Sequence, residues 1–253
     1  MWGVSAASLT GGAAAMLAYG VAGRSAQIFG PSVYRGMGRR RSISLTFDDG
    51  PSEASSRLLE YFSNQGVKAT FFQCGMNVLR HPEIARSIRE AGHEIGNHTY
   101  SHARLCPRLS WDLNLKSAAA IDREFSQAQE IFTAEVGVAP SLLRAPYGLR
   151  WFGIGSVQKR LHLMGVMWTV IGHDWEWPAD RIAGLVLRKA SPGGIVCLHD
   201  GRDVRPRPDM AETLSAVQRI VPVLKDQGYS FETVSELLRP DSAIPGRPSV
   251  VGR

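Results

Sequence analysis

Two pairs of side chains in this sequence have the types and spacing to hold and use a divalent ion. They are the adjacent Asp48 and Asp49, and the histidines of His98-Thr99-Tyr100-Ser101-His102. Imidazoles at that spacing lie on one face of a helical turn and reach a common ion. A carboxylate from the Asp48-Asp49 pair completes an Asp/His/His set that leaves positions open for water and substrate, as a catalytic zinc-type site requires. The second aspartate then has a use, because water at such an ion attacks a carbonyl only once a nearby base has taken its proton. His199 follows the apolar run Ile195-Val196-Cys197-Leu198, and a histidine there is suited to protonate a leaving amine. Arg144 is suited to grip a carboxylate by a bidentate hydrogen bond, and Asp174 to orient a histidine or an arginine; the plainer reading of these two is a structural ion pair. The chemistry of the whole set is metal-assisted hydrolysis.

Such scattered residues need a frame that brings them together. Residues 42–47 (SISLTF) run into Asp48-Asp49-Gly50-Pro51, the pattern of a strand ending in a turn, so both carboxylates sit at a strand's C-terminal end. The pattern predicts a helix over 54–65 closed by Gly66, a strand over 68–74, a helix over 78–91 closed by Gly92, and a strand over 93–97. Ser110 is placed to cap a long helix running to about residue 135, and 141–144 returns as a short strand before Ala145-Pro146-Tyr147-Gly148. Then follow a helix over 154–163, a strand over 165–171, a helix over 179–190, a strand over 194–198, a helix over 210–227 and a strand over 229–234. This alternation implies an α/β fold with a mostly parallel sheet, open or closed into a barrel. Each polar cluster follows a strand, and a (β/α) barrel gathers its functional groups at those strand ends.

The composition, 253 residues with 44% hydrophobic and 21% charged, suits one catalytic domain, assigned to residues 42–238, with no internal repeat. Twenty-nine Lys and Arg against 23 Asp and Glu give a net charge of +6, which favours anionic surroundings such as cell-wall polymers or lipid headgroups. Arg39, Arg40 and Arg41, and again Arg202, Arg205 and Arg207, cluster without the interleaved aromatics or fold motif of a nucleic-acid binder, so they read as solvated loops and no nucleic-acid partner is expected. Cys74, Cys106 and Cys197 show neither CxxC spacing nor a disulfide framework and read as small buried hydrophobes. Residues 1–30 form an apolar N-terminal segment, of which 1–23 carry no charged side chain. That length suits a weak membrane segment or signal-anchor, although no Lys or Arg precedes it; membrane association or an extracytoplasmic site is expected, with a loosely packed extension as the alternative. Residues 31–41 read as a basic linker and 239–253 as a Pro/Gly-rich disordered tail.

TFDDG (46–50), HTYSH (98–102), RAPYG (144–148), HDW (173–175) and IVCLHD (195–200) resemble the five ordered motifs of the NodB-type polysaccharide deacetylase family, the resemblance spanning residues 42–238. It implies a distorted (β/α) barrel with seven or eight mostly parallel strands. It also implies a divalent metal, zinc with cobalt as a substitute, and an N-acetylated glycan substrate such as peptidoglycan or chitin. By position, it makes Asp48 the catalytic base, Asp49, His98 and His102 the metal ligands, Arg144 the group orienting the base, His199 the general acid and Asp174 the residue tuning it. Trp175 resembles an aromatic pocket wall, the Tyr147 backbone N–H an oxyanion donor, and Ile195 of the fifth motif joins the substrate-binding set. One departure stands out: the family's fourth motif begins with an acidic or amide residue three positions before the tuning aspartate, where this chain has Ile171, leaving the network around Asp174 open to alteration. Residues 150–165 and 201–209 are expected to shape the substrate groove. Deformylation or amide hydrolysis on a lipid-linked sugar or small cyclic amide, and a non-catalytic glycan-binding role, are the alternatives.

Overall fold

Strand β2, Ser42–Asp48, is buried along its whole length, so both of its faces meet protein. Successive side chains of a strand point to opposite faces. Ile43, Leu45 and Phe47 accordingly enter the main apolar core beneath the outer helices, while Ser44, Thr46 and Asp48 turn to the concave side of the sheet. That alternation puts a carboxylate inside without exposing any of the core-facing residues. A computed structural model describes residues 6–107 and 117–240.

Around β2 the sheet runs β1 (Ser32–Val33), β6 (Met164–Val166), β5 (Leu142–Leu143), β4 (Glu94–Asn97), β3 (Thr70–Gln73), β2, β8 (Gly194–His199) and β7 (Val170–Ile171). A further strand, β9 (Ser230–Phe231), pairs with the start of β2. Every pairing between these strands is parallel, and the sheet curls into a distorted (β/α) barrel. On its outer face α2 (Glu53–Gln65), α4 (Pro82–Glu90), α7 (Ala179–Lys189) and α8 (Ala211–Asp226) bury Leu58, Ile88, Ile182 and Ile220 against the strands. A second cluster joins α5 (Ala118–Ile131) and α6 (Ile154–Leu161) to β5 through Phe125, Val157 and Leu143. Inside the barrel, Val234 and Leu237 of α9 (Val234–Leu238) pack with Phe72, Leu142, Val166 and Ile195, closing the end opposite the strand C-termini.

Several boundaries differ from the sequence expectation, each for a local reason. The helix expected over 78–91 is two, α3 (Gly75–Arg80) and α4, because Pro82 has no N–H to continue a helix and holds His81 out of helical geometry at φ −133. Ser117 caps α5, its hydroxyl accepting from the Ala120 N–H, and α5 ends in a π-helical turn, Phe132–Val136; Ser110, expected as the cap, lies outside the described residues. The strand expected over 165–171 is divided into β6 and β7. The strand expected over 229–234 stops at Phe231, and a capping box between Thr233 and Glu236 starts α9.

The N-terminal assignments change most. Residues 31–41, expected as a linker, contain β1 and are built into the sheet, with Arg40 paired to Glu232 at 2.7 Å. The preceding stretch is strapped to the domain by Arg150, whose guanidinium donates to the carbonyls of Gly23 and Ala26 and to the Ser32 hydroxyl. Ahead of it stands α1 (Ala6–Ala22), exposed over residues 11–19. Among the described residues no helix is long and apolar enough to cross a membrane. All but the first two residues of the expected C-terminal tail lie outside the described residues. The three cysteines are free and buried.

Candidate active site

The C-terminal ends of β2, β4, β5 and β8 surround a cavity of about 510 Å³ lined by Asp48, Asp49, His98, His102, Tyr147 and His199 among others. Asp49 sits just past β2 in a left-handed conformation, φ 73, which swings its carboxylate away from the sheet and towards the histidines. Its Oδ1 lies 3.2 Å from His98 Nε2 and 3.1 Å from His102 Nε2. The expected helical turn carrying those histidines is absent: residues 98–102 form an irregular loop in which Thr99 (φ 72) and His102 (φ 56) are both left-handed. The spacing still works, because Asn97 accepts from the Thr99 N–H and the Glu124 carboxylate of α5 accepts from the N–H and hydroxyl of Ser101. Left-handed backbone at a β-branched residue costs energy, and such strain gathers at functional sites.

The donor set fits a divalent cation on its own chemistry. His98 Nδ1 lies 2.8 Å from the Arg144 carbonyl and so carries the proton, leaving Nε2 as a lone pair. His102 Nδ1 stands 2.7 Å from Asp203 Oδ1, an ion-pair contact made off the line of a hydrogen bond. Asp49 Oδ1 is buried without a hydrogen-bonding donor, and the two imidazole nitrogens approach it off the line of a hydrogen bond. Two imidazole nitrogens and a carboxylate oxygen converging within 4.8 Å of one another, with no aligned hydrogen bond to Asp49 Oδ1, form a set that a divalent cation would bridge. Burial by itself raises the Asp49 carboxyl, but the neighbouring His102 and His98 hold it well below the ordinary carboxylate value. Burial opposes charge on His102, and the Asp49 and Asp203 carboxylates outweigh it, raising that ring above its ordinary value. A second possible trio, Asp48, Cys197 and His199, suits a cation less well. Burial and the Asp48 carboxylate push the Cys197 thiol well above its ordinary value, so it stays protonated and donates weakly to Asp48 Oδ2 at 3.4 Å.

Asp48, at the end of β2, is held by Arg144, whose Nη1 donates to Oδ1 at 2.6 Å and to Thr46 Oγ1 at 2.8 Å. The grip is single rather than the expected bidentate fork, because Arg144 Nε and Nη2 donate instead to the carbonyls of Val166 and Met167. The guanidinium is fully buried, 4.1 Å over the Phe72 ring, and a buried charge so fixed has one orientation to offer its partner. Across the cavity His199 Nδ1 meets Asp174 Oδ1 at 2.8 Å, which leaves Nε2 towards the cavity. Burial lowers the His199 pKa, but Asp174 together with Asp49 and Asp48 more than reverses this and raises it to about 10. Burial raises Asp174 in turn, and the adjoining His199 and Thr213 bring it below its ordinary value. Arg144 and Asp174 therefore do not form the structural ion pair that was their plainer reading.

Trp175 stands edge-on to His199 with ring centroids 5.3 Å apart, and Tyr147, left-handed at φ 59, packs edge-on to His102 at 4.7 Å. Both line the cavity. Ile195 does not: it shares the inward face of β8 with Cys197 and His199 but lies deeper, sealed in the barrel interior beneath them. Ile171 lines the cavity, and the Asp174 network is complete without it: Asp174 Oδ2 accepts from the His199 N–H at 2.8 Å and the Thr213 hydroxyl at 2.7 Å. Of the two segments expected to shape the groove, 201–209 reaches the cavity through Gly201, Arg202, Asp203 and Arg205, whereas no residue of 150–165 lines it. Thr213, Asp203, Asn97 and Glu124 went unread in the sequence because nothing in their spacing distinguishes them from ordinary loop and helix residues.

A sequence profile described as Polysaccharide deacetylase matches residues 35–165. A chitooligosaccharide deacetylase of Bradyrhizobium sp. is 33% identical over 205 residues, 78% of this chain and 90% of that protein. Among solved structures, a peptidoglycan N-acetylglucosamine deacetylase superposes with a TM-score of 0.71 at 31% identity, covering 81% of this chain and 91% of that one. A CE4 family pseudoenzyme from Bacillus anthracis reaches a TM-score of 0.72 at 27% identity, covering 82% of this chain and 69% of its own. Motif order, barrel and relatives agree: the chain belongs to the polysaccharide deacetylase family, as a hydrolase of carbon–nitrogen bonds.

Proposed function

We propose that this protein removes N-acetyl groups from an N-acetylglucosamine-containing glycan, peptidoglycan or chitin-like, using zinc or cobalt held by Asp49, His98 and His102. A divalent ion so held supplies Lewis acidity and lowers the pKa of water. Asp48, kept out of the ligand set and aimed by Arg144, takes the proton from the attacking water. The Tyr147 backbone N–H donates to the developing oxyanion, and Trp175 walls the acetyl group's surroundings. His199, protonated at neutral pH, gives its Nε2 proton to the departing amine while Asp174 holds the ring. The observation that carries this reading is the presence of two separately held acid–base groups, Asp48 with Arg144 and His199 with Asp174, in the cavity lined by Asp49, His98 and His102.

The test is acetate release from chito-oligosaccharides and peptidoglycan by the full chain, before and after chelation, with zinc or cobalt restored. Release that returns with metal is expected, and Asp48→Asn should lower kcat by at least ~100-fold, the ordinary worth of a general base, while zinc stays bound. An Asp48→Asn variant with near-wild-type turnover sinks the mechanism. Metal-loaded protein silent on both glycans refutes N-deacetylation and directs attention to formamide and cyclic amide substrates, assayed by formate and ammonia release. We further propose that residues 1–23 associate the enzyme with a membrane surface, with extracytoplasmic glycan as substrate; the uncharged α1, exposed over residues 11–19, supports this.

A further inference from the structure

We propose that Asp203, which belongs to none of the five motifs, is a positioning residue of the ion site, holding Asp49 and His102 where both meet the ion. The inference rests on the reading of Asp49, His98 and His102 as its ligands. Asp203 lies in the loop after β8 in a left-handed conformation, φ 50. Its backbone N–H donates to Asp49 Oδ2 at 2.8 Å, which leaves Oδ1 as the oxygen turned to the two histidines. Its carboxylate Oδ1 stands 2.7 Å from His102 Nδ1 and accepts from the Tyr147 hydroxyl at 3.1 Å. One residue thus touches both a carboxylate and an imidazole ligand, through main chain and side chain respectively.

The loop cannot drift from this position. The buried Asn77 amide donates to the carbonyls of both Asp49 and Asp203, lacing the two segments together. Gly201, two residues earlier, lies so close to the Asp49 carbonyl that a Cβ there would approach its oxygen to 2.3 Å. The two imidazoles differ in what backs them. His98 has the neutral Arg144 carbonyl, fully buried, whereas His102 has a carboxylate that is 40% exposed at the cavity. The charge of a carboxylate 2.7 Å behind an imidazole strengthens the ring's lone pair, and loss of a partner behind a ligating imidazole weakens metal binding by roughly 10–100-fold.

Asp203→Asn is the informative variant, because Asn tolerates left-handed backbone as Asp does and keeps the main-chain donor while removing the charge. Zinc affinity of the full chain is measured by competition with a chromogenic chelator, and cobalt-loaded protein is read by visible absorption. Zinc binding weakened by about 10-fold or more, with an altered cobalt spectrum and unchanged thermal stability of the metal-free protein, is the expected result. Affinity within about twofold of wild type, with the same spectrum, overturns the proposal. A wild-type chain that takes up neither metal overturns the ligand assignment itself, a failure visible before any variant is made.

Discussion

In the proposed mechanism Asp174 acts on chemistry only through His199, and that dependence can be read in a pH profile. A general acid must be protonated to work, so kcat/KM falls as pH rises past its pKa. With Asp174 in place that limb lies well on the alkaline side, the His199 pKa being about 10. Asp174→Asn removes the largest influence raising it, and the alkaline limb should move to lower pH by at least about one unit, with kcat reduced. A limb that does not move would mean that the carboxylate merely orients the ring. Thr213 and the His199 N–H hold the same carboxylate, so the residue at 171 is free to be apolar here.

At the scale of elements, the joint between α4 and β4 carries its own pH sensitivity. His93 accepts the Ala69 N–H on Nδ1 at 3.1 Å and packs against Phe62 and Phe71, so it is folded in as a neutral ring. Burial, with Lys68 adding to it, lowers its pKa from 6.5 to about 4. A histidine lowered on folding supports the native state above its unfolded pKa, and that support is lost as pH falls from 6.5 towards 4. Urea denaturation should show His93 removing about 2 kcal/mol of stability between pH 7 and pH 5, one pKa unit being worth about 1.4 kcal/mol. His93→Gln, neutral throughout, should flatten that slope; an unchanged slope would exclude His93 as its source. The same joint shows what element-level reading reaches. Glycine signals placed the ends of α2 and α4 within a few residues, whereas the π-helical close of α5 and the split of β6 from β7 depend on packing that no local pattern encodes.

At the scale of the whole molecule, the apolar N-terminal segment divides into two parts with different duties. Residues from Gly23 to β1 are strapped to the domain by Arg150, so their removal would leave a buried guanidinium without partners. Residues 11–19 of α1 are exposed and carry no such load. A chain lacking residues 1–18 should therefore keep its acetate release and its unfolding midpoint, since the Val21 carbonyl that accepts the Arg150 N–H and the buried Gly20 stay in place. It should lose the co-sedimentation with anionic lipid vesicles expected of the full chain. Equal sedimentation of both chains, or of neither, would remove α1 as a membrane-associating element.

Read alone, the sequence determined the alternating α/β order and set Asp48 and Asp49 at a strand end and His98 and His102 four residues apart, because these rest on residue type and short-range spacing, while the division of ligand, base and acid roles rests on the resemblance to the deacetylase family. The tertiary structure decided which groups stand behind them. Asp203 reaches His102 from a loop 101 positions away, Thr213 reaches Asp174 from a helix 39 positions away, and Ile195 is sealed below the cavity floor because the barrel's interior is filled by α9. These contacts join segments with no common periodicity, and their distances are set by how the strands curl and the loops pack over them. Chemistry carried by the five motifs was legible; positioning carried by residues outside them was not.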